Sequence, residues 1–349
     1  MKETLIAPWN QLPEVRKHNP FFISWALIAG TLLSSCFKEE VPIHRPLRGN
    51  LQVVQIPLTS KYNKQFFFDL FTGQIVNSND NTIWDLAFDA DDDGYHIWLN
   101  SSKLMQAYNT RSSEFSAITD DTGAEWTWDY PEGKPEYNAI GEWGRFDNGN
   151  VVSFRHVYII DRGVTADNVK LGKRKVIFES LDKGTYRVRF AKLSGEDMHV
   201  IEVPKDKRFN RIYLSFDNGG QIVQVEPPKD SWDLLFTRYT HIFFEHDTLP
   251  YLVTGALLNP AGVSAAKDSS TLFDNITIND LHMFTFQTEA NTIGYNWKSF
   301  DIDDTKYSII PNIFYIVKDI EGNYYKLRFI DFFSDSGERG FPKFEYQQL

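Results

Sequence analysis

The run richest in potential chemistry is Asp89-Ala90-Asp91-Asp92-Asp93-Gly94, whose carboxylates and glycine match the first half of a helix-flanked calcium loop. That loop needs a bidentate Glu at its twelfth position and a helix on either side. Here the twelfth residue is Asn100, and both flanks alternate like strands. The pattern therefore predicts an acidic hairpin turn with Gly94 at the tight position. Between about Ser101 and Asn150, Trp126, Trp128, Tyr130, Tyr137 and Trp143 are set among Gly, Pro and acids. They would suit a sugar- or ring-binding groove, or packing beneath long loops. No nucleophile motif, His-Glu-x-x-His pair or phosphate-cradling loop occurs, and the carboxylates have no recognisable pairing. The expectation is a protein that is not an enzyme.

The chain has 349 residues, enough for two domains of ordinary size, and a formal charge of -11. With no basic surplus to neutralise phosphates, nucleic acid is not an expected partner. Cys36 is the single cysteine, which excludes an internal disulfide framework and a Cys-x-x-Cys-His haem attachment. Its setting is more informative. Arg16, Lys17 and His18 precede the apolar run from Phe21 to Leu33, too short for a comfortable membrane span but suited to an export signal. Leu33-Ser34-Ser35-Cys36 resembles the lipobox of bacterial lipoproteins, in which the signal is cut before a lipidated Cys. Residues 1–35 are thus expected to be a lipoprotein signal peptide and Cys36 the lipidation site. Residues 36–50 then form a charged, Pro-containing tether. Lys38-Glu39-Glu40 resembles a sorting signal for the cell surface, so the expected location is the outer membrane, with contact to the membrane through the lipid alone.

The elements that would position any site are strands. Aromatic residues make up 15% of the chain, and they fall at alternate positions. Ile83-Trp84-Asp85-Leu86-Ala87-Phe88 returns as Ser231-Trp232-Asp233-Leu234-Leu235-Phe236, with Trp, Leu and Phe on one strand face and Asp on the other. Upstream, Phe67-Phe68-Asp69-Leu70 with Gly73-Gln74-Ile75-Val76 is answered by Tyr213-Leu214-Ser215-Phe216 with Gly220-Gln221-Ile222-Val223. Downstream, Tyr186-Arg187-Val188-Arg189-Phe190 is answered by Tyr325-Lys326-Leu327-Arg328-Phe329. Repetition in the same order implies a tandem duplication. The expected fold class is all-β, with two antiparallel domains at 51–205 and 206–349 and with Trp84 and Trp232 buried.

The lipobox, the aromatic strand and Gly turn, Trp-Asp-Leu-x-Phe, the closing Tyr-x-Lys-Leu-x-Phe and Gly337-Glu338-Arg339-Gly340-Phe341-Pro342 together resemble the HmuY family of haem-binding surface lipoproteins. Residues from Tyr213 to Tyr346 carry the whole pattern, and those from Phe67 to about Val203 a reduced copy. The resemblance implies two tandem HmuY-like domains. It also implies non-covalent haem binding for iron acquisition and transfer to an outer-membrane haem receptor. The family's His or Met axial ligands come from loops between the Trp-Asp strand and the closing hairpin. In the second half that window contains His241, His246, His282 and Met283. His246, His282 or Met283 is the expected ligand, and His241, close after the Trp-Asp strand, is expected to matter less. His282 and Met283 are adjacent, so on a strand only one could face the iron. The first-half window offers His96, Met105 and His156. The competing reading is a surface adhesion module that takes a glycan, peptide or protein through its aromatic loops.

Overall fold

The aromatic runs become strands. Phe66, Phe67 and Phe68 lie in Lys64–Asp69, which turns at Gly73 into Gln74–Asp80. Gly73 has φ +70°, a left-handed value natural to glycine. The Trp84 copy leads into Leu86–Asp89, and the Trp232 copy into the longer Leu234–Phe243. In Thr185–Ala191 the expected alternation holds: Tyr186, Val188 and Phe190 are buried, while Arg187 and Arg189 face outward to Glu179. The computed structural model describes residues 49–244, 248–303 and 306–349, and these form antiparallel sheets with only short 3-10 turns between them. The chain is all-β. The export signal, Cys36 and the tether up to residue 48 lie outside the described residues, as does His246.

Strand partners cross between the sequence halves. Lys64–Asp69 pairs with Leu234–Phe243, with Phe68 opposite Leu234. Its second-half counterpart, Arg211–Ser215, pairs with Leu86–Asp89, with Leu214 opposite Leu86. Each half therefore supplies the aromatic hairpin that completes the other's Trp-Asp ladder. The cores follow the ladders, because a strand buries its apolar face with whichever strand it bonds to. One core draws on residues from Leu86 to Phe216, including Phe88, Trp143, Phe178 and Tyr186. The other joins Ile56 to Leu70 with Leu234 to Tyr346, including Phe236, Trp297, Phe329 and Phe344. The cores thus cross the division expected near residue 205. One sits on a continuous segment that interrupts the other. Along the seam, Trp84 meets Tyr213 edge-on at 4.9 Å between ring centres, and Trp232 meets Phe67 likewise at 5.0 Å.

The two Trp-Asp turns share one hydrogen-bond frame. Asp85 N donates to Leu214 O, and Asp233 N to Phe68 O. The Asn100 side chain donates to Trp84 O, and that of Asn259 to Trp232 O. Asp85 Oδ2 accepts from Phe216 N at 2.7 Å, and Asp233 Oδ2 from Leu70 N at 2.8 Å. Both carboxylates are at 0% exposure, so the face opposite the Trp is interior. Their electrostatics differ. Burial alone would raise the pKa of Asp85, but Lys103 and Arg162 outweigh it and hold the carboxyl below its ordinary value. Among the described residues Asp233 has no such partners, and burial pushes it up to about 7.

Candidate functional site

Two cavities are built from the elements above. The larger, a cleft of about 670 Å³, opens at the end of the Leu234–Phe243 and Leu249–Leu258 pair where Phe243 faces Leu249, and the two-stranded sheet of Lys298–Asp301 and Lys306–Ile309 lies beside it. Its walls are aromatic: Tyr62, Phe243, Tyr251, Tyr295, Phe300 and Tyr307. Its charged side chains are of one sign. Lys61, Arg238, Lys298 and Arg339 line it, and no Asp or Glu does among the described residues, in a chain whose net charge is -11; Lys61 is paired with Asp167 at 2.6 Å, just outside the lining. Arg238 is 5% exposed and donates through Nε to Ser102 O at 2.7 Å, which leaves Nη2 buried and without a partner among the described residues. Lys298 donates to Thr254 O at 2.5 Å and lies 4.3 Å from the Trp297 ring centre. Burial pushes its pKa down to about 7. A cation buried without a counter-ion is costly, so this cleft favours an anionic guest.

The smaller cavity, about 240 Å³, lies on the aromatic seam. The indole N–H groups of Trp84, Trp98 and Trp232 are buried there without acceptors among the described residues, as is the hydroxyl of Tyr239. Asp129, Glu132 and Glu226 supply carboxylates to the same walls, and Arg211 stacks 4.0 Å above the Trp98 ring. Its volume is below the ~300–1,000 Å³ typical of pockets for drug-sized molecules.

His241 is half-buried in Leu234–Phe243, its ring 4.7 Å from that of Phe243 and 5.0 Å from that of Tyr295, two residues of the cleft wall. Its Nδ1 is buried without a partner among the described residues, and burial lowers its pKa against the opposing pull of Glu132. His282 and Met283 end an exposed 3-10 turn, Ile278–Met283, where His282 Nδ1 lies 2.8 Å from Asn279 O. That segment is a turn and not a strand, and neither residue lines either cavity. In the first half, Met105 is core, His96 contacts Asp89, and His156 lies beside Phe154. The acidic run at Asp89 is the turn expected of it: Lys229 and Lys207 pair with Asp91 and Asp92, and Lys205 donates to the backbone of Asp91 and Gly94. Sequence reasoning missed Tyr62, Tyr251, Lys298 and Arg339. They are far apart in the chain, and only strand pairing assembles them.

The HmuY protein family model matches this chain over residues 61–201 and 207–346. No curated protein sequence matches. Among solved structures, the apo HmuY analog of Tannerella forsythia aligns at 11% identity over 86% of this chain and 96% of its own, with a TM-score of 0.25. A candidate HmuY-like haem-binding protein of Bacteroides vulgatus aligns at 12% identity over 86% and 94%, with a TM-score of 0.23. A candidate lipoprotein of Bacteroides fragilis aligns at 12% identity over 85% and 90%, also at 0.23. These scores support no residue-level correspondence. The two matched segments span most of the chain and take in both Trp-Asp turns and both aromatic hairpins, so this all-β protein belongs to the HmuY family.

Proposed function

We propose that this protein is a surface lipoprotein that captures haem without covalent attachment, in the 670 Å³ cleft, and passes it to an outer-membrane receptor. One observation carries the reading: an aromatic cleft with four basic and no acidic lining side chains among the described residues. Haem is a flat apolar ring bearing two carboxylates. Tyr and Phe walls suit the ring, and Arg238 Nη2 is a buried donor still lacking an acceptor. His246 is the preferred axial ligand, because it separates in sequence two residues of the cleft wall, Phe243 and Leu249. His241, whose ring touches the wall, is the second choice. His282 and Met283 are less direct, since their turn contributes to neither cavity.

Haemin added to the soluble chain should give a Soret band displaced from that of free haemin. His246→Ala should move that band and weaken binding by about tenfold or more, with unfolding unchanged. A spectrum identical to that of free haemin would remove the haem reading. The same proposal includes the signal at residues 1–35, lipid on Cys36, the tether at 36–50, and duplication as the origin of the segments 51–205 and 206–349. Mass spectrometry of the native protein should find the chain beginning at an acylated Cys36, and an intact, unlipidated N-terminus would refute the anchor.

The seam cavity favours a second reading, a small glycan, because three indole donors and three carboxylates surround it. Quenching of tryptophan fluorescence by simple sugars would support that reading, and an unchanged spectrum would dismiss it.

A further inference from the structure

Four lysines are buried among the described residues, and three of them are tied into the packing. Lys103 pairs with Asp85, Lys175 donates to Ile118 O at 2.9 Å, and Lys326 donates to Phe273 O at 2.8 Å. None of these three lines the cleft or the seam cavity. Lys298 differs. It is 6% exposed and stands in the wall of the 670 Å³ cleft. Among the described residues no carboxylate pairs with it, and its hydrogen bonds go to two main-chain oxygens, Thr254 O and Tyr295 O. Three rings surround the amine, with centres 4.3 Å away for Trp297, 4.8 Å for Phe332 and 6.0 Å for Tyr307.

The sheet brings a second cation to the same place. Thr254, whose carbonyl accepts from Lys298, is the cross-strand partner of Arg238. Arg238 lines the cleft too, and its Nη2 is buried without a partner among the described residues. The other titratable groups in these walls are Lys61, Arg339 and the hydroxyls of Tyr62, Tyr251, Tyr295 and Tyr307. With no acid in the lining among the described residues, nothing there offsets the desolvation of an ammonium at Lys298. The ring faces soften that cost without cancelling it, since a ring quadrupole is weaker than the full charge of a carboxylate. Such a site favours the uncharged amine, whose lone pair attacks carbonyl carbon. Burial accordingly brings the pKa of Lys298 down to about 7.

We propose that Lys298 is a covalent capture site whose amine condenses with an aldehyde that carries an anionic group, while Arg238 holds the anion. The nitrogen lone pair adds to the carbonyl carbon, and one N–H proton moves to the carbonyl oxygen, which gives a carbinolamine. Its hydroxyl leaves with the second N–H proton as water, and a C=N bond remains. The condensation needs no oxidant or reductant. The anion sets the selectivity, because a neutral aldehyde leaves Arg238 Nη2 without an acceptor. This use of the cleft needs no iron ligand and is separate from haem capture.

The test uses the whole soluble chain, para-formylbenzoate as the anionic aldehyde, and no haemin. Trapping with cyanoborohydride and peptide mass spectrometry should find the label on Lys298 before the exposed lysines react. The rate at Lys298 should rise with pH through about 7 and then level, whereas exposed lysines keep accelerating toward about 10.4. The methyl ester of the probe keeps the ring and the aldehyde but masks the anion, and should label Lys298 about tenfold more slowly or worse. Lys298→Met exchanges a buried cation for an apolar chain and should unfold like the wild type, lose this label and keep the slow surface labelling. Label spread over exposed lysines with Lys298 unmodified would overturn the capture site. Equal rates for the acid and its ester would overturn the role given to Arg238. Because haemin is absent throughout, this test and the Soret test of the haem reading can fail independently.

Discussion

Asp129 shows how burial can outweigh good hydrogen bonding at a single residue. Its carboxylate accepts from Leu99 N at 2.6 Å and from Ala139 N at 2.7 Å, and both bonds favour the charged form. Burial is the larger effect and pushes the pKa from 3.8 up to about 7. The native state therefore holds this proton more tightly than the unfolded chain does. Its contribution to stability is full below the unfolded pKa of 3.8 and is lost as pH rises through about 7. Asp129→Asn cannot ionise. Chemical denaturation across that window should show the variant gaining on the wild type with rising pH, by a few kcal/mol at most. A difference independent of pH would mean that Asp129 stays ionised. Asp85 is the contrasting case, because two cations repay its desolvation and keep it charged.

At the scale of elements, the Trp-Asp segment departs from the single face expected for its Trp, Leu and Phe, because Trp84 and Trp232 precede the strands Leu86–Asp89 and Leu234–Phe243 and pack with Ala87 and Leu235 instead. Leu86 and Phe88, like Leu234 and Phe236, enter the main cores, while Trp84 and Trp232 enter the seam. Each Trp is held edge-on by an aromatic from the hairpin of the other half. Replacing either by Ala removes a large buried ring and should cost about 3–5 kcal/mol in urea unfolding. Because both rings line one cavity, the paired substitution should depart from additivity. Strictly additive losses would show that the two halves of the seam are energetically separate. The cleft follows from the same logic. Leu234–Phe243 and Leu249–Leu258 extend well beyond their counterparts Leu86–Asp89 and Ile97–Leu99, and the extension carries Phe243 and Tyr251.

For the molecule as a whole, crossing of hairpins makes one core continuous in sequence and the other discontinuous. Leu86 to Phe216 complete their core without the remainder, whereas the second core needs Ile56 to Leu70 together with Leu234 onward. A fragment of residues 82–226 should therefore fold alone, judged by cooperative unfolding and near-ultraviolet dichroism. Fragments 51–205 and 206–349 should each lack a complete ladder, remain unfolded separately, and recover structure when mixed. If 51–205 folds cooperatively alone, the exchanged pairing is not what stabilises the protein.

Much of this was legible in the sequence, for a local reason. Alternation of Phe, Tyr and Trp with polar residues is a property of adjacent positions, so the strands, the Gly73 turn and the buried Trp84 and Trp232 could be read directly. The acidic run at Asp89 was likewise readable as a turn from its flanks. Partnership was not legible. Phe68 has the same pattern whether it pairs within its own half or with Leu234, and only the folded ladder chooses. The charges around the two Asp residues are likewise set by contacts far along the chain: Arg162 lies 77 residues from Asp85, and Ile320 lies 87 residues from Asp233. The same holds for the cleft, whose wall takes residues from Ser60 to Arg339. Sequence determined which faces are apolar; tertiary structure decided which faces meet, because pairing and charge compensation depend on distance in space.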